Sequence, residues 1–354
     1  MSIKKNNLIK RGGLPSFKPM LYPKAYEFYD VHESMHWTKH EYDLGDDVKD
    51  WQKLPEKTQR LIKYVLRIFT QSDVLVGAGY DVLLRVFKPT EVQMMLRGFA
   101  ARENIHIDSY SDFTDTLGFP EEFYEEYLEY EEMADKMKYI HNARVKQFYE
   151  YLEMFSQHEP DEQQKLAEKQ FKYDVAKMLA IYGGLTEGVS LFSSFAILMS
   201  LSRTGVMNGL STIVEWSIKD ENLHSEGNAW LFRQFVNENR EIWNDELKRE
   251  IYESARAVVE LEDKFINLSF DNGDIEGITR DEMKQYIRYI CDRRLIELSL
   301  KPNFGVKDNP LEWMEEILNS ASLSNFFETT VTEYGKGTTK GTWSEAKKVL
   351  EQFK

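Results

Sequence analysis

One cysteine, Cys291, stands among 354 residues, so no disulfide can form within the chain and its stability must come from packing. A reducing compartment, the cytoplasm, is the expected home. The opening MSIKKNNLIKRGG is basic but has no apolar run behind it, unlike a secretory signal. Positive charge is also in deficit: 45 Lys and Arg against 60 Asp and Glu leave a formal charge of -15. A field of that sign repels nucleic acid unless a basic patch is segregated, and the sequence shows none. Long apolar runs are missing as well. The longest uncharged run, GVSLFSSFAILMSLS at 188–202, has 15 residues, short of the roughly 18 to 20 that cross a bilayer. Neither nucleic acid nor membrane is an expected partner, and the run reads as a buried core helix.

Proline is sparse where it matters. None occurs between Pro160 and Pro302, so a stretch of 141 residues contains nothing that must break a helix. Strand patterns are absent, while apolar residues recur at three and four spacing over 54–84, 89–118 and 120–155. Further long helices are expected at about 161–203, 207–239, 245–270 and 279–300, joined by short turns such as RTGVMNG and DNGDIEG. With 42% hydrophobic and 13% aromatic residues the chain has material for a large core. The reading is an all-α fold, a bundle with bundle-length loops. Residues 1–30 hold three prolines and no period, and residues 326–354 are rich in Thr, Gly and Lys. Both ends are expected to be mobile, flanking one domain over 31–325.

The pattern E-x-x-H occurs three times, at Glu33 and His36, Glu103 and His106, and Glu221 and His224. Roughly one such match is expected by chance at this composition, so context must separate them. The first lies in DVHESMHWTKHEYD, polar on all sides, and reads as a solvated face, although His32, His36 and His40 at four-residue spacing invite comparison with a metal site. The other two sit inside long apolar helices, where a charged group needs a partner if it is buried. Each of those helices follows another that carries an isolated acid, Asp73 in RIFTQSDVLVG and Glu187 in YGGLTEGVSLFSSF. The blander reading of each lone acid is a buried salt bridge. Together, two acids on two helices and E-x-x-H from each of two more form the ligand set of ferritin-like dinuclear carboxylate proteins. Four carboxylates balance two divalent ions, and one imidazole per metal with oxygen elsewhere suits iron or manganese better than zinc or copper.

These residues resemble the radical-generating small subunit of class I ribonucleotide reductase. The resemblance rests on SDVLVG, ENIHIDSY, LTEG and KDENLH and spans about residues 30–335. It implies a ferritin-like helical bundle with additional helices, and Asp73, Glu103, His106, Glu187, Glu221 and His224 as ligands of two iron ions, manganese with iron, or two manganese. It implies that Tyr110, seven residues after Glu103, stores a radical formed by oxygen activation. Leu191, Phe192 and Phe195 would supply its apolar surroundings. By the same resemblance Trp37 relays an electron towards the metals through Asp220, which bridges it to His106. Tyr334, in the tail, passes the radical to a large subunit that reduces ribonucleotides to deoxyribonucleotides, and the chain acts as a homodimer with that partner. The rival readings are a dinuclear oxygenase or desaturase, with a substrate cavity near Glu187, and a metal-storing helical protein without catalysis.

Overall fold

The computed structural model describes residues 8–9, 17–142 and 162–318; Tyr334 and the rest of the expected tail lie outside them. Helix follows helix: α1 (Pro23–Ser34), α2 (Gly45–Trp51), α3 (Glu56–Val86), α4 (Thr90–Thr116), α5 (Glu131–Asn142) and α6 (Glu162–Met178) come first. A π-helical segment (Leu179–Ser190) leads into α7 (Phe192–Ser202), then α8 (Asn208–Glu238), α9 (Asp245–Ser269) and α10 (Arg280–Glu297). Among the described residues there is no strand, only one isolated bridge between Ile275 and Ile278. The fold is all-α, as the periodicity predicts.

The apolar spacing explains how the long helices meet. On α3 a stripe through Ile62, Val65, Phe69, Asp73, Val76, Tyr80 and Leu83 is buried, so an acid sits in the middle of a core face. That stripe packs against α4, which in turn contacts α8, and α8 lies along the π segment. Four long elements therefore surround one centre, each contributing a charged residue to it. α8 begins without a side chain of its own as cap. Asp47 of α2 does that work, accepting the backbone N–H groups of Gly209 and Leu210 at 2.9 and 2.8 Å.

Three regions differ from the sequence reading. Residues 23–34, partly assigned to a mobile leader, form α1, which packs on α4 and α8. Its buried stripe is only Ala25, Phe28 and His32, too narrow to stand out from the sequence. Glu91 on α4 accepts the backbone N–H groups of Leu21 and Tyr22, both at 2.7 Å, and anchors the entry to α1. Of the single helix expected over 120–155, the described part is instead two short 3₁₀ turns (Glu121–Tyr124 and Glu126–Glu129) followed by α5, and residues 143–155 lie outside the described residues. Seven acids among residues 121–132 crowd that stretch and work against a continuous helix. The helix expected over 161–203 is interrupted by the π segment.

A buried ion pair ties three of the outer helices together. Lys136 of α5 reaches Glu262 of α9 at 2.7 Å, with side-chain exposures of 3% and 0%, and Ser193 of α7 donates to the other oxygen of Glu262. The ammonium also lies 4.5 Å from the ring centroid of Phe265. Removing one partner strands a charge in the core, which costs about 3–5 kcal/mol. Lys136→Met is expected to lose about that much in denaturant unfolding, and the double variant with Glu262→Leu to recover most of it.

Candidate metal centre

Asp73 and Glu103 come from adjacent helices, α3 and α4, and His106 follows Glu103 by one turn on the same face. α8 repeats the arrangement with Glu221 and His224. All five are buried, at 0 or 1% exposure. Ligand atoms of Asp73, Glu103 and His106 lie within 4.8 Å of one another, and so do those of Glu103, Glu221 and His224. Glu103 belongs to both groups, as a carboxylate shared between two metals would.

Both imidazoles point Nδ1 inward. His106 Nδ1 is 3.2 Å from Glu221 Oε1 and 3.6 Å from Glu103 Oε2; His224 Nδ1 is 3.1 Å from Glu103 Oε1 and 3.6 Å from Glu221 Oε2. Their Nε2 atoms face outward. His106 Nε2 lies 3.1 Å from Asp220 Oδ2, and that oxygen also accepts the Trp37 indole N–H at 2.8 Å. Trp37, Asp220 and His106 thus form one hydrogen-bonded chain, with the indole stacked on the imidazole at 5.8 Å between centroids. Arg102, itself buried, sits 3.6 Å from Asp220. His224 Nε2 meets His32 Nε2 at 3.1 Å.

His32 is therefore no part of a solvated face: it is buried, while His36 and His40 lie beyond the end of α1 and are exposed. The helical spacing that would align the three histidines ends at Ser34, and they share no metal site.

Glu187 is carried by the π segment, whose register is marked by Thr186 Oγ1 donating to the carbonyl of Ile181, five residues back. The carbonyl of Gly188 accepts from Nε of buried Arg294 on α10 at 3.1 Å. A Cβ on Gly188 would fall 2.6 Å from Ser225 Oγ and 2.8 Å from Arg294 Nε, so only glycine admits this approach. Glu187 Oε2 accepts from Tyr80 at 2.8 Å and from Asn228 at 3.1 Å.

What remains is a set of buried carboxylate oxygens without a hydrogen bond: Asp73 Oδ2, both oxygens of Glu103 and of Glu221, and Glu187 Oε1. Unpaired buried acceptors of this number are costly. Four carboxylates with oxygens to spare and two Nδ1 atoms fit two divalent cations, which neutralise the set.

Tyr110 lies one turn beyond His106 and has no exposure. Its hydroxyl donates to Ser217 Oγ at 3.0 Å, and its ring meets Phe69 edge-on at 4.5 Å. Phe195 stands behind Phe69 at 5.1 Å and Phe192 behind Phe195 at 5.6 Å. The expected α7 aromatics are in place, but Phe69 is the one that touches the phenol. Four neighbours escaped the sequence reading, and each stands at helical spacing from a ligand: Phe69 and Tyr80 four before and seven after Asp73, Ser217 four before Glu221, Asn228 four after His224.

Burial dominates the titration of the centre. It pushes Asp73 and Glu187 well above the ordinary carboxylate range, and the phenol of Tyr110 well above its own. Burial works against the charged imidazoles too, but the facing carboxylates of Glu103 and Glu221 carry His224 up to about 10, and those of Asp220, Glu103 and Glu221 carry His106 well up. Burial would raise Asp220 and Glu221, yet their histidine partners hold both below the usual value. One groove, with a cavity of about 430 Å³, opens between α3 and α4 and is lined by Asp73, Asp81, Glu103 and Asn104 among others.

Long helices that bring two acids and two E-x-x-H pairs to one buried centre define a ferritin-like dinuclear carboxylate protein. The comparisons narrow this class. Residues 15–310 match the family described as ribonucleotide reductase, small chain. A probable ribonucleoside-diphosphate reductase small subunit of Invertebrate iridescent virus 3 is 40% identical over 340 residues, covering 93% of this chain and 86% of that one. The ribonucleoside-diphosphate reductase subunit beta of Chlamydia pneumoniae is 29% identical over 322 residues, 89% of this chain and 88% of its own. In fold, the chain is similar to the ribonucleotide reductase R2 subunit from Clostridium botulinum, with a TM-score of 0.74 at 23% identity, covering 86% and 91% of the two chains. It is also similar to the dimanganese(II)-NrdF of Streptococcus sanguinis, with a TM-score of 0.66 at 17% identity and coverage of 85% and 96%. The chain belongs to the ribonucleotide reductase small chain family, whose members are the small subunits of an enzyme that also has a large one.

The proton inventory sets a pH dependence for the metal-free protein. His106 and His224 are raised, so the folded state keeps protons that the unfolded state has released above about pH 6.5. Stability is then lost as pH rises, by roughly 1 kcal/mol per pH unit for each proton retained. Burial keeps His32 neutral when folded, so it is unprotonated in both states above that pH and adds nothing there. The melting temperature of protein held in chelator is expected to fall between pH 7 and 9. Protein saturated with metal, which displaces those protons, is expected to lack that fall.

Proposed function

We propose that Asp73, Glu103, His106, Glu187, Glu221 and His224 hold two metal ions, and that the chain oxidises Tyr110 and passes the oxidising equivalent to a large subunit for ribonucleotide reduction. The observation that carries this reading is the placement of Tyr110: a phenol with no exposure, one turn beyond a candidate ligand, with Phe69 against its ring and Phe195 behind Phe69. When bound, the metal pair supplies the oxidising power, drawn from oxygen or a derivative of it. Iron, manganese with iron, or two manganese ions suit the oxygen-rich donor set.

The chain's own contribution is placement and protection. Desolvation keeps the phenol neutral until it is oxidised, and Ser217 Oγ holds its hydroxyl proton. With water excluded, an oxidised tyrosine has no small molecule beside it to reduce it. Trp37, Asp220 and His106 provide a continuous path of hydrogen bonds from the buried Trp37, in the connection between α1 and α2, to the centre. Asp220 fixes the tautomer of His106 with Nε2 outward, which leaves Nδ1 as the donor to metal. The groove between α3 and α4 gives Asp73 and Glu103 a route to solvent for incoming ions.

The remaining parts of the reading concern partners and place. The family works as a small subunit with a large one, and residues 326–354 with Tyr334 are assigned to docking on it. A homodimer in the cytoplasm is the assembly proposed, consistent with a lone, buried cysteine.

Metal analysis with electron paramagnetic resonance after aerobic loading tests the centre. About two metal ions per chain are expected, with a tyrosyl signal that disappears in Tyr110→Phe while the metal content stays. An oxygenase or a storage protein would bind metal without that signal. Deleting the residues after 325 is expected to abolish ribonucleotide reduction with the large subunit and to leave the tyrosyl signal unchanged.

A further inference from the structure

Glu187 differs from the other acids of the centre. Asp73, Glu103 and Glu221 keep oxygens without hydrogen bonds and accept none from beyond the centre except a long contact of 3.4 Å from Ser72 to Asp73. Glu187 has one oxygen fully committed. Its Oε2 accepts the Tyr80 hydroxyl at 2.8 Å and the Asn228 amide at 3.1 Å, while the same amide also donates to the Tyr80 hydroxyl at 3.1 Å. Only Oε1 is left over, buried and unpaired. Donors from α3 and α8 thus close on a carboxylate that belongs to a third element, the π segment.

The surroundings are built to keep this triangle. Tyr80, Glu187 and Asn228 each have 0% exposure, so no water competes for their hydrogen bonds. Gly183, on the π segment, faces Asn228 so closely that a Cβ there would lie 2.4 Å from the asparagine's own Cβ. A residue with a side chain at 183 would push the amide away from Glu187. The Tyr80 ring is wedged edge-on against Tyr182, Phe99 and His224, with centroids 6.0 to 6.1 Å away, which fixes where its hydroxyl points.

We infer that Tyr80 and Asn228 are positioning residues that bind one oxygen of Glu187 from outside and so present it to the metal centre as a one-oxygen ligand through Oε1. The inference rests on the metal-binding reading given above. It separates the two metal positions. Asp73 lies with Glu103 and His106, whereas the two donors that hold Glu187 flank His224: the Tyr80 ring is 6.1 Å from its imidazole, and Asn228 follows it by one turn on α8. Loss of the latch therefore acts on the His224 side and spares the His106 side. Outer partners of this kind are worth about 10–100-fold in metal affinity.

The test is titration of the full-length, metal-free protein with Mn(II), followed by loss of the free-ion paramagnetic resonance signal. The wild-type chain is expected to take up two ions. Tyr80→Phe, which keeps the ring and deletes only the donor, is expected to weaken one binding constant at least about tenfold and to change the other less than about twofold. Asn228→Leu, similar in size but without the amide donor, is expected to weaken the same constant. The melting temperature of each metal-free variant shows that it is folded. Two unchanged constants, or two that shift together, would overturn the latch while leaving the metal centre standing. A wild-type chain that binds no ion would instead overturn the reading on which the latch rests.

Discussion

Everything in this protein is arranged around one costly act: placing five carboxylates, those of Asp73, Glu103, Glu187, Asp220 and Glu221, in a core where none is more than 1% exposed. A carboxylate without water is stable only if protons, cations or hydrogen-bond donors replace its hydration. The structure uses all of these, and it distributes them unevenly. Asp220 is answered at Oδ2 by Trp37, His106 and Arg102, while its Oδ1 has no hydrogen bond. Glu187 is half answered, by Tyr80 and Asn228. Glu103 and Glu221 face only imidazoles that hold Nδ1 towards them. The gradient from satisfied to unsatisfied oxygens runs inward, and its unsatisfied end is where two cations belong. Stability and function are here the same electrostatic problem, because the groups that make the core hard to build are those that make it useful.

Much of this was legible in the sequence because helical spacing is so regular. An acid in the middle of an apolar stripe, as Asp73 is on α3, has to be explained by a partner, and two E-x-x-H pairs in similar company suggest what that partner is. Tyr110 shares a helical face with Glu103 and His106, but the role expected of it came from the family resemblance. The surroundings were harder to see, since Phe69, Tyr80, Ser217 and Asn228 are ordinary residues whose meaning comes from standing four or seven places from a candidate ligand. α1 was hidden for a different reason. Its sequence buries only three side chains, and its place is set by tertiary contacts, above all Glu91 accepting two backbone N–H groups at its entry. His32 looked solvated because its neighbours in sequence are, whereas its neighbours in space are His224 and Phe99.

The π segment is the clearest case of structure that local propensity does not announce. Residues 179–190 are apolar and helix-compatible, with Gly183, Gly184 and Gly188 as the only hint of something unusual. A wider helical turn has poorer backbone hydrogen bonding and needs support from outside. Arg294 gives it at the Gly188 carbonyl, and the fully buried surroundings do the rest. Glu187 sits within this wider turn, so the direction in which it faces differs from the one an unbroken α-helix would give it.

α8 carries Ser217, Asp220, Glu221, His224 and Asn228 on one continuous helix whose start is fixed by Asp47. Between Ser217 and Asn228 the axis rises only about 16 Å, yet that length serves the tyrosine, the relay, the metals and the support of Glu187. A rigid rod of this kind has a single phase. Inserting or deleting one residue anywhere along it turns everything beyond by about 100°, so no part can be shifted in register while the others keep theirs. Such a helix can change by substitution but hardly by length, and lineages that diverge here are expected to hold this interval fixed while the connections outside it grow and shrink.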